Sequence, residues 1–245
     1  MLGAYTAYAA AAPDVGTLPA VALTDNQREA LIHAYNVETV PFGELRADLT
    51  KPVLLARCPF CGIGEASTLD HYLPKELHPQ FAVYSRNLIP CCSPCNVKKS
   101  QRLFDQHTGA RVFLHPYYDT IPELRFLALD VTLHADALGL RYALRRPAQM
   151  PGGVFAHLAT HFRLLGLADR YRTMSLAYLR DERRALGRFY GSGADAARVA
   201  VELSQNAEDH EVEHGPNHWR AVLCRTLSDN QAFCNGGFRI LDRIQ

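Results

Sequence analysis

Seven cysteines are spread through the 245 residues, and four of them fall in two C-x-x-C pairs. Cys58 and Cys61 stand in Arg57-Cys-Pro-Phe-Cys-Gly62, and Cys92 and Cys95 in Cys91-Cys-Ser-Pro-Cys-Asn96. Two such knuckles a few tens of residues apart supply four thiolates for a tetrahedron, the closed form of a structural Zn²⁺ site. Pro59, Gly62 and Pro94 are turn-formers of the kind required where backbone curls around a metal. A thioredoxin-like site would need only one C-x-x-C between a strand and a helix, and disulfides belong to oxidising compartments. Structural zinc is therefore the reading for these four. Cys91 reads as a buried thiol beside a ligand, and Cys224 and Cys234 as core residues.

The segment between the knuckles carries a second kind of chemistry. It contains Thr68-Leu-Asp-His-Tyr-Leu-Pro-Lys75 and Arg86-Asn-Leu-Ile-Pro90, and the second knuckle runs into Asn96-Val-Lys-Lys99. A zinc ion that draws the knuckles together folds this segment back as a hairpin, so Asp70 and His71 face the start of the helix that bears Asn96. Asp70 and Asn96 are hard oxygen donors suited to Mg²⁺ or Mn²⁺. His71 titrates near neutrality, which suits a general base that deprotonates water. Lys99 lies one turn beyond Asn96, within reach of phosphate charge. A metal, a base and a cation are the parts of phosphodiester hydrolysis.

In order and spacing, residues 58–99 resemble the HNH nuclease family. Its ββα-metal motif reads D-H-x-x-P, then N-L, then C-x-x-C-[HN]-x-x-K between zinc knuckles. The resemblance places Asp70 on the metal-binding acid, His71 on the general base, and Asn87 on the middle Asn that holds the hairpin loop and orients the base. Asn96 stands where many relatives have the last His. This H-N-N form implies a preference for Mg²⁺ over softer ions. Cys58, Cys61, Cys92 and Cys95 match the structural zinc positions. Three further segments, Asp70-His-Tyr-Leu-Pro-Lys75, Phe113-Leu-His-Pro-Tyr-Tyr118 and His218-Trp219, look like HNH proteins of bacterial anti-phage systems, the Septu type in particular. That likeness implies an ABC-like ATPase partner, because the chain has no G-x-x-x-x-G-K-[ST] of its own. It also implies that His115 approaches the active site. The implied substrate is nucleic acid, and DNA because most of the family cuts DNA.

The elements that must position these residues give an α+β expectation: a ββα-metal core with structural zinc, an N-terminal helix before it and a mostly helical C-terminal part. Thr24 and Gln27 form a capping box ahead of the apolar stripe Leu31, Ile32 and Tyr35. Pro41 and Gly43 interrupt that helix, and an amphipathic stretch follows around Leu45. Residues 67–72 and 87–90 read as strands, and 96–104 as a short helix. Residues 125–146 read as a hairpin about Ala137-Leu-Gly139. Phe155, Leu158, Phe162 and Leu165, then Tyr171, Met174 and Tyr178, mark helices that reach Gly191-Ser-Gly193, and 194–208 begin another. The domain reading is a loose arm over 1–22, a nuclease core with its preceding helix over 23–110, and a mainly helical region over 111–245.

Two features leave alternatives open. Residues 155–190 hold seven Arg against three acids, which fits a solvated helix face or a phosphate-contacting surface. His210-Glu-Val-Glu-His214 matches the zinc-protease pattern H-E-x-x-H, with His218 as a third ligand. However, Gly215-Pro216 stops a helix directly after the second His, so both histidines read as surface residues. A non-catalytic zinc-stabilised nucleic-acid-binding module is the main rival to a nuclease. It has no use for the Asp70, His71, Asn87 and Asn96 set.

Composition narrows the classes. At 48% hydrophobic and 21% charged residues the chain buries a real core. Its 26 Lys plus Arg against 25 Asp plus Glu exclude a globally basic binder but not a local basic groove. No uncharged apolar run reaches the length of a membrane span. The Ala-rich start lacks Lys or Arg before Arg28, unlike the basic n-region of a secretory signal, so a cytoplasmic protein is expected.

Overall fold

In the computed structural model, all residues are described except 1, 20, 38, 52–56, 135, 192–195 and 244–245. The protein is α+β, and the described residues form two two-stranded antiparallel sheets among helices. It divides into two compact units, Met1–Ile121 with Ala156–Leu165, and Pro122–Phe155 with Gly166–Gln245. Among the described residues, no helix is long and apolar enough to cross a membrane.

The first unit begins where a loose arm was expected, and there the structure differs. Leu2–Ala11 form a helix, α1, because alanine is the best helix former and Tyr5 and Tyr8 fall one turn apart. Tyr8 is fully buried, edge-on to Phe81 at 5.0 Å, and Tyr5 stacks on Tyr84 at 4.2 Å. Helix α2, Asp25–Asn36, opens with the capping box in both directions: Gln27 N–H donates to Thr24 Oγ1, and Thr24 N–H to Gln27 Oε1. Helix α3, Val40–Thr50, carries Pro41 in its first turn, where a missing N–H costs nothing.

Strands β1, Thr68–His71, and β2, Leu88–Cys91, pair antiparallel, with Thr68 opposite Cys91 and His71 opposite Leu88. Helix α4, Ser93–Lys99, follows at once and packs on β1. It starts three residues before the expected helix because Cys92 is its N-cap residue and Pro94 sits in its first turn. It ends at Ser100, whose φ of 50° leaves the helical region. Tyr72, Leu73, Phe81, Leu88, Ile89 and Phe113 form the core around this ββα element. Most of helix α5, Gly152–Leu164, belongs to the same unit.

The second unit holds the expected hairpin, β3, Leu127–Leu133, and β4, Leu138–Leu144, with its turn a few residues earlier than read. Helix α6, Leu167–Gly191, buries Leu167, Tyr171, Ser175, Leu179 and Leu186 along one face, so Met174 and Tyr178 lie beside the stripe. Arg172, Arg180, Arg184 and Arg188 stand on its exposed side, and Arg183 pairs with Asp242. Helix α7, Ala196–His214, runs past the expected Glu208; residues 192–195, where the preceding break was read, lie outside the described residues. Helices α8, Trp219–Ser228, and α9, Gln231–Cys234, follow, and a 3-10 turn over Gly237–Asp242 comes after them. Trp219, Cys224, Leu227, Phe233 and Cys234 form its centre, and Tyr142 donates from that core to the Trp219 carbonyl.

Candidate metal and catalytic site

The four knuckle cysteines come together. Each is buried, and their sulfur atoms all lie within 4.8 Å of one another. Cys61 and Cys92 Sγ are 3.7 Å apart. A disulfide would place them at about 2 Å, whereas four thiolates bound tetrahedrally at about 2.3 Å sit roughly 3.8 Å apart. The set therefore fits a structural Zn²⁺ ion. Local backbone builds each half: Gly62 N–H bonds the Cys58 carbonyl with φ of 64°, and Cys95 and Asn96 N–H both bond the Cys92 carbonyl. Gly64 is required here, because a Cβ on it would meet the Cys92 Cβ at 2.9 Å. Hydrogen bonds from Cys58 pull both Cys61 and Cys92 down. Cys58 and Cys95 are pushed up as the donors. Four sulfurs so close cannot all ionise without a cation. Cys91, Cys224 and Cys234 are buried and stay outside the cluster.

Strand β1, which follows the first knuckle, carries the catalytic candidates Asp70 and His71. Successive strand residues face opposite ways, so Asp70 is turned into the protein and His71 is left half-buried. His71 Nε2 lies 2.9 Å from the carbonyl of Ala82. That carbonyl can only accept, so Nε2 carries the proton and the Nδ1 lone pair is the basic one. Burial lowers the His71 pKa to about 4, which keeps the ring neutral at physiological pH. Tyr35 of α2 packs edge-on to it at 4.3 Å, with the Lys75 and Arg46 cations over the tyrosine ring.

Asn87 is fully buried and satisfied on both sides of its amide. Its Oδ1 accepts from Leu73 N–H at 2.8 Å, and its Nδ2 donates to the carbonyls of Leu73 and Phe81. Phe81 precedes Ala82, so this amide clamps the loop whose carbonyl orients His71. The clamp has an outer layer in which Tyr8, read in the sequence as part of a loose arm, joins His115. Tyr8 O–H donates to Asn87 Oδ1 at 3.2 Å, and His115 Nε2 lies 3.0 Å from the same hydroxyl. His115 Nδ1 accepts from Tyr117 N–H, so the chain of donors runs from His115 through Tyr8 to Asn87.

Lys99 and Asn96 sit differently from the sequence reading. The Lys99 ammonium is fully buried, 2.9 Å from Asp70 Oδ2 and 2.8 Å from the His71 carbonyl, so it is not placed at the surface to meet a phosphate. Asn96 reaches β1, but its Nδ2 donates to Thr68 Oγ1 and the Leu69 carbonyl rather than to the Asp70 carboxylate. Burial pushes the Asp70 pKa up to about 6 even though Lys99 draws it down.

A second buried histidine supports the first knuckle. His161 on α5 lies with Nε2 2.8 Å from the Phe60 carbonyl and accepts Leu114 N–H at Nδ1. Burial lowers its pKa to about 4, below the ordinary 6.5. Unfolding would let it protonate, so its contribution to stability is complete above pH 6.5 and is lost as the pH falls toward 4. At pH 5 the loss is about 2 kcal/mol. His161→Gln, which keeps a donor for Phe60, should show a smaller drop in melting temperature between pH 7.5 and 5 than the wild type. Equal drops would assign the acid sensitivity elsewhere.

Comparison with known proteins adds one relative. The chain is 27% identical over 190 residues to protein Ea31 of Escherichia phage lambda, covering 74% of this chain and 64% of that protein. No protein-family model and no solved structure matches it.

Proposed function

We propose that the first unit is a metal-dependent endonuclease of the HNH type that hydrolyses phosphodiester bonds in DNA. The observation that carries this reading is His71, its Nε2 held by the Ala82 carbonyl in the loop that Asn87 clamps, next in sequence to the buried Asp70. His71 Nδ1 takes a proton from the attacking water, and Asn87 fixes the direction from which it does so. Asp70 and Asn96 would be the oxygen donors for Mg²⁺ or Mn²⁺, which would stabilise charge on the phosphate and the leaving oxygen. The Lys99 ammonium marks where positive charge is demanded and would yield Asp70 to a divalent ion. The Lys75 and Arg46 cations over the Tyr35 ring, which packs on His71, favour an anionic substrate.

The Septu-like segments extend the proposal to anti-phage defence beside an ABC-like ATPase. His115, one of those segments, belongs to the clamp of Asn87 through Tyr8. One observation favours the rival zinc-stabilised binding module: Asp70 already has a cationic partner. The two readings part on Asp70→Ala. As a nuclease, this variant should lose plasmid cleavage and Mn²⁺ binding by calorimetry, with DNA binding kept and partial recovery at high Mn²⁺. Unchanged Mn²⁺ binding would remove the metal site.

A further inference from the structure

The last turn of α7 gathers metal ligands that the proposed nuclease does not use. His210, Glu213 and His214 fall at i, i+3 and i+4, hence on one face, and their ligand atoms all lie within 4.8 Å of one another. The helix then stops, and Gly215, with φ of 86°, turns the chain so that His218 comes back over the helix end. The His218 ring is 4.4 Å from that of His214 and 6.1 Å from that of His210, and the latter two are 6.3 Å apart. Imidazole nitrogens bound to zinc at about 2.0–2.1 Å are roughly 3.4 Å apart in a tetrahedron, so His218, which lies outside the group of three, would turn its ring toward them to join as a ligand. His210 Nδ1 is buried, and no hydrogen bond reaches it among the described residues.

The surroundings favour a cation more than they oppose it. The cluster sits at the C-terminus of α7, the negative end of its dipole. Glu213 already lies 3.4 Å from His214 Nε2. Arg220 opposes, but its guanidinium is drawn over the Tyr178 and Trp219 rings at 5.2 and 5.1 Å. Glu211, which a zinc peptidase would use as its base, is held instead by ion pairs with Arg125 and Arg225.

We infer that His210, His214 and His218, with Glu213 as the fourth donor, bind a borderline transition-metal ion, Zn²⁺ by availability, which pins the end of α7 to the start of α8. The imidazole-rich donor set selects Zn²⁺, Co²⁺ or Ni²⁺ over Mg²⁺. This site is separate in residues and in chemistry from the four-cysteine cluster.

The test is calorimetric titration of the purified full chain with Zn²⁺ and with Co²⁺, in wild type and in the double variant His210→Ala, His214→Ala. The wild type should bind one equivalent beyond the metal it carries on its thiolates, and the bound Co²⁺ should lack a thiolate charge-transfer band. The double variant should bind that equivalent at least about 100-fold more weakly, with its melting temperature in chelator unchanged. Those side chains are partly exposed, so the variant should fold. A wild type with no further equivalent overturns the site. So does an equivalent that persists in the double variant, or a Co²⁺ spectrum that reports sulfur ligation.

Discussion

Cys92→Ser should yield a protein that holds no zinc on its cysteines and whose first unit is unfolded. Cys92 does three things at once. It is one of four thiolates, it is the N-cap residue of α4, and its Cβ packs against Gly64 of the first knuckle. A structural zinc ion contributes about 10–16 kcal/mol to folding, as much as the whole stability of an ordinary domain. Serine keeps the size of the side chain and removes the soft ligand, so the effect reports the metal rather than packing. Metal analysis should fall by about one equivalent per chain, and hydrogen exchange should lose protection across Cys58–Lys99 peptides. Cys234→Ser serves as the control, since Cys234 is equally buried but lies outside the cluster. It should keep its zinc. A Cys92→Ser protein that is folded and zinc-free would refute the site.

His71→Ala should slow DNA cleavage by roughly 10²-fold or more while metal and DNA still bind. The geometry makes this a clean substitution. His71 is half-buried and contributes one hydrogen bond, to the Ala82 carbonyl, so its loss leaves the loop in the hands of Asn87. Asn87→Ala would be less informative, because it strips buried bonds to Leu73 and Phe81 and loosens the same loop. Single-turnover rates of supercoil loss, measured beside Mn²⁺ affinity, separate the loss of the base from the loss of the fold.

Much of this site was legible because its chemistry is local in the chain. The knuckles are dipeptide-spaced, Asp70 and His71 are adjacent, and Asn96 follows its cysteine directly. The antiparallel pairing of β1 with β2 follows from drawing those knuckles together. What could not be read is what tertiary contact decides. Tyr8 lies 79 residues from Asn87, and its Ala-rich surroundings resemble a free arm; only the one-turn spacing of Tyr5 and Tyr8 hints at a packed face. His161 reaches the Phe60 carbonyl across 101 residues with no motif to announce it. The burial of Lys99 against Asp70 depends on which face of α4 meets β1, and a seven-residue helix carries too few apolar positions to show that. The pattern His210-Glu-Val-Glu-His214 was visible, but the return of His218 depends on the turn at Gly215.

The nuclease account rests on His71 acting as a base, and chemical rescue addresses that directly. The measurement is the rate of plasmid cleavage by His71→Ala in Mg²⁺, with and without added imidazole, beside wild type and with the ATPase partner supplied if one is found. Wild type should cut and should stop when a chelator is added. The variant should cut about 10²-fold more slowly, and free imidazole should restore part of the rate by occupying the vacated space and taking the proton from water. A His71→Ala protein that cuts as fast as wild type would contradict the account and leave the first unit as a zinc-stabilised binding module.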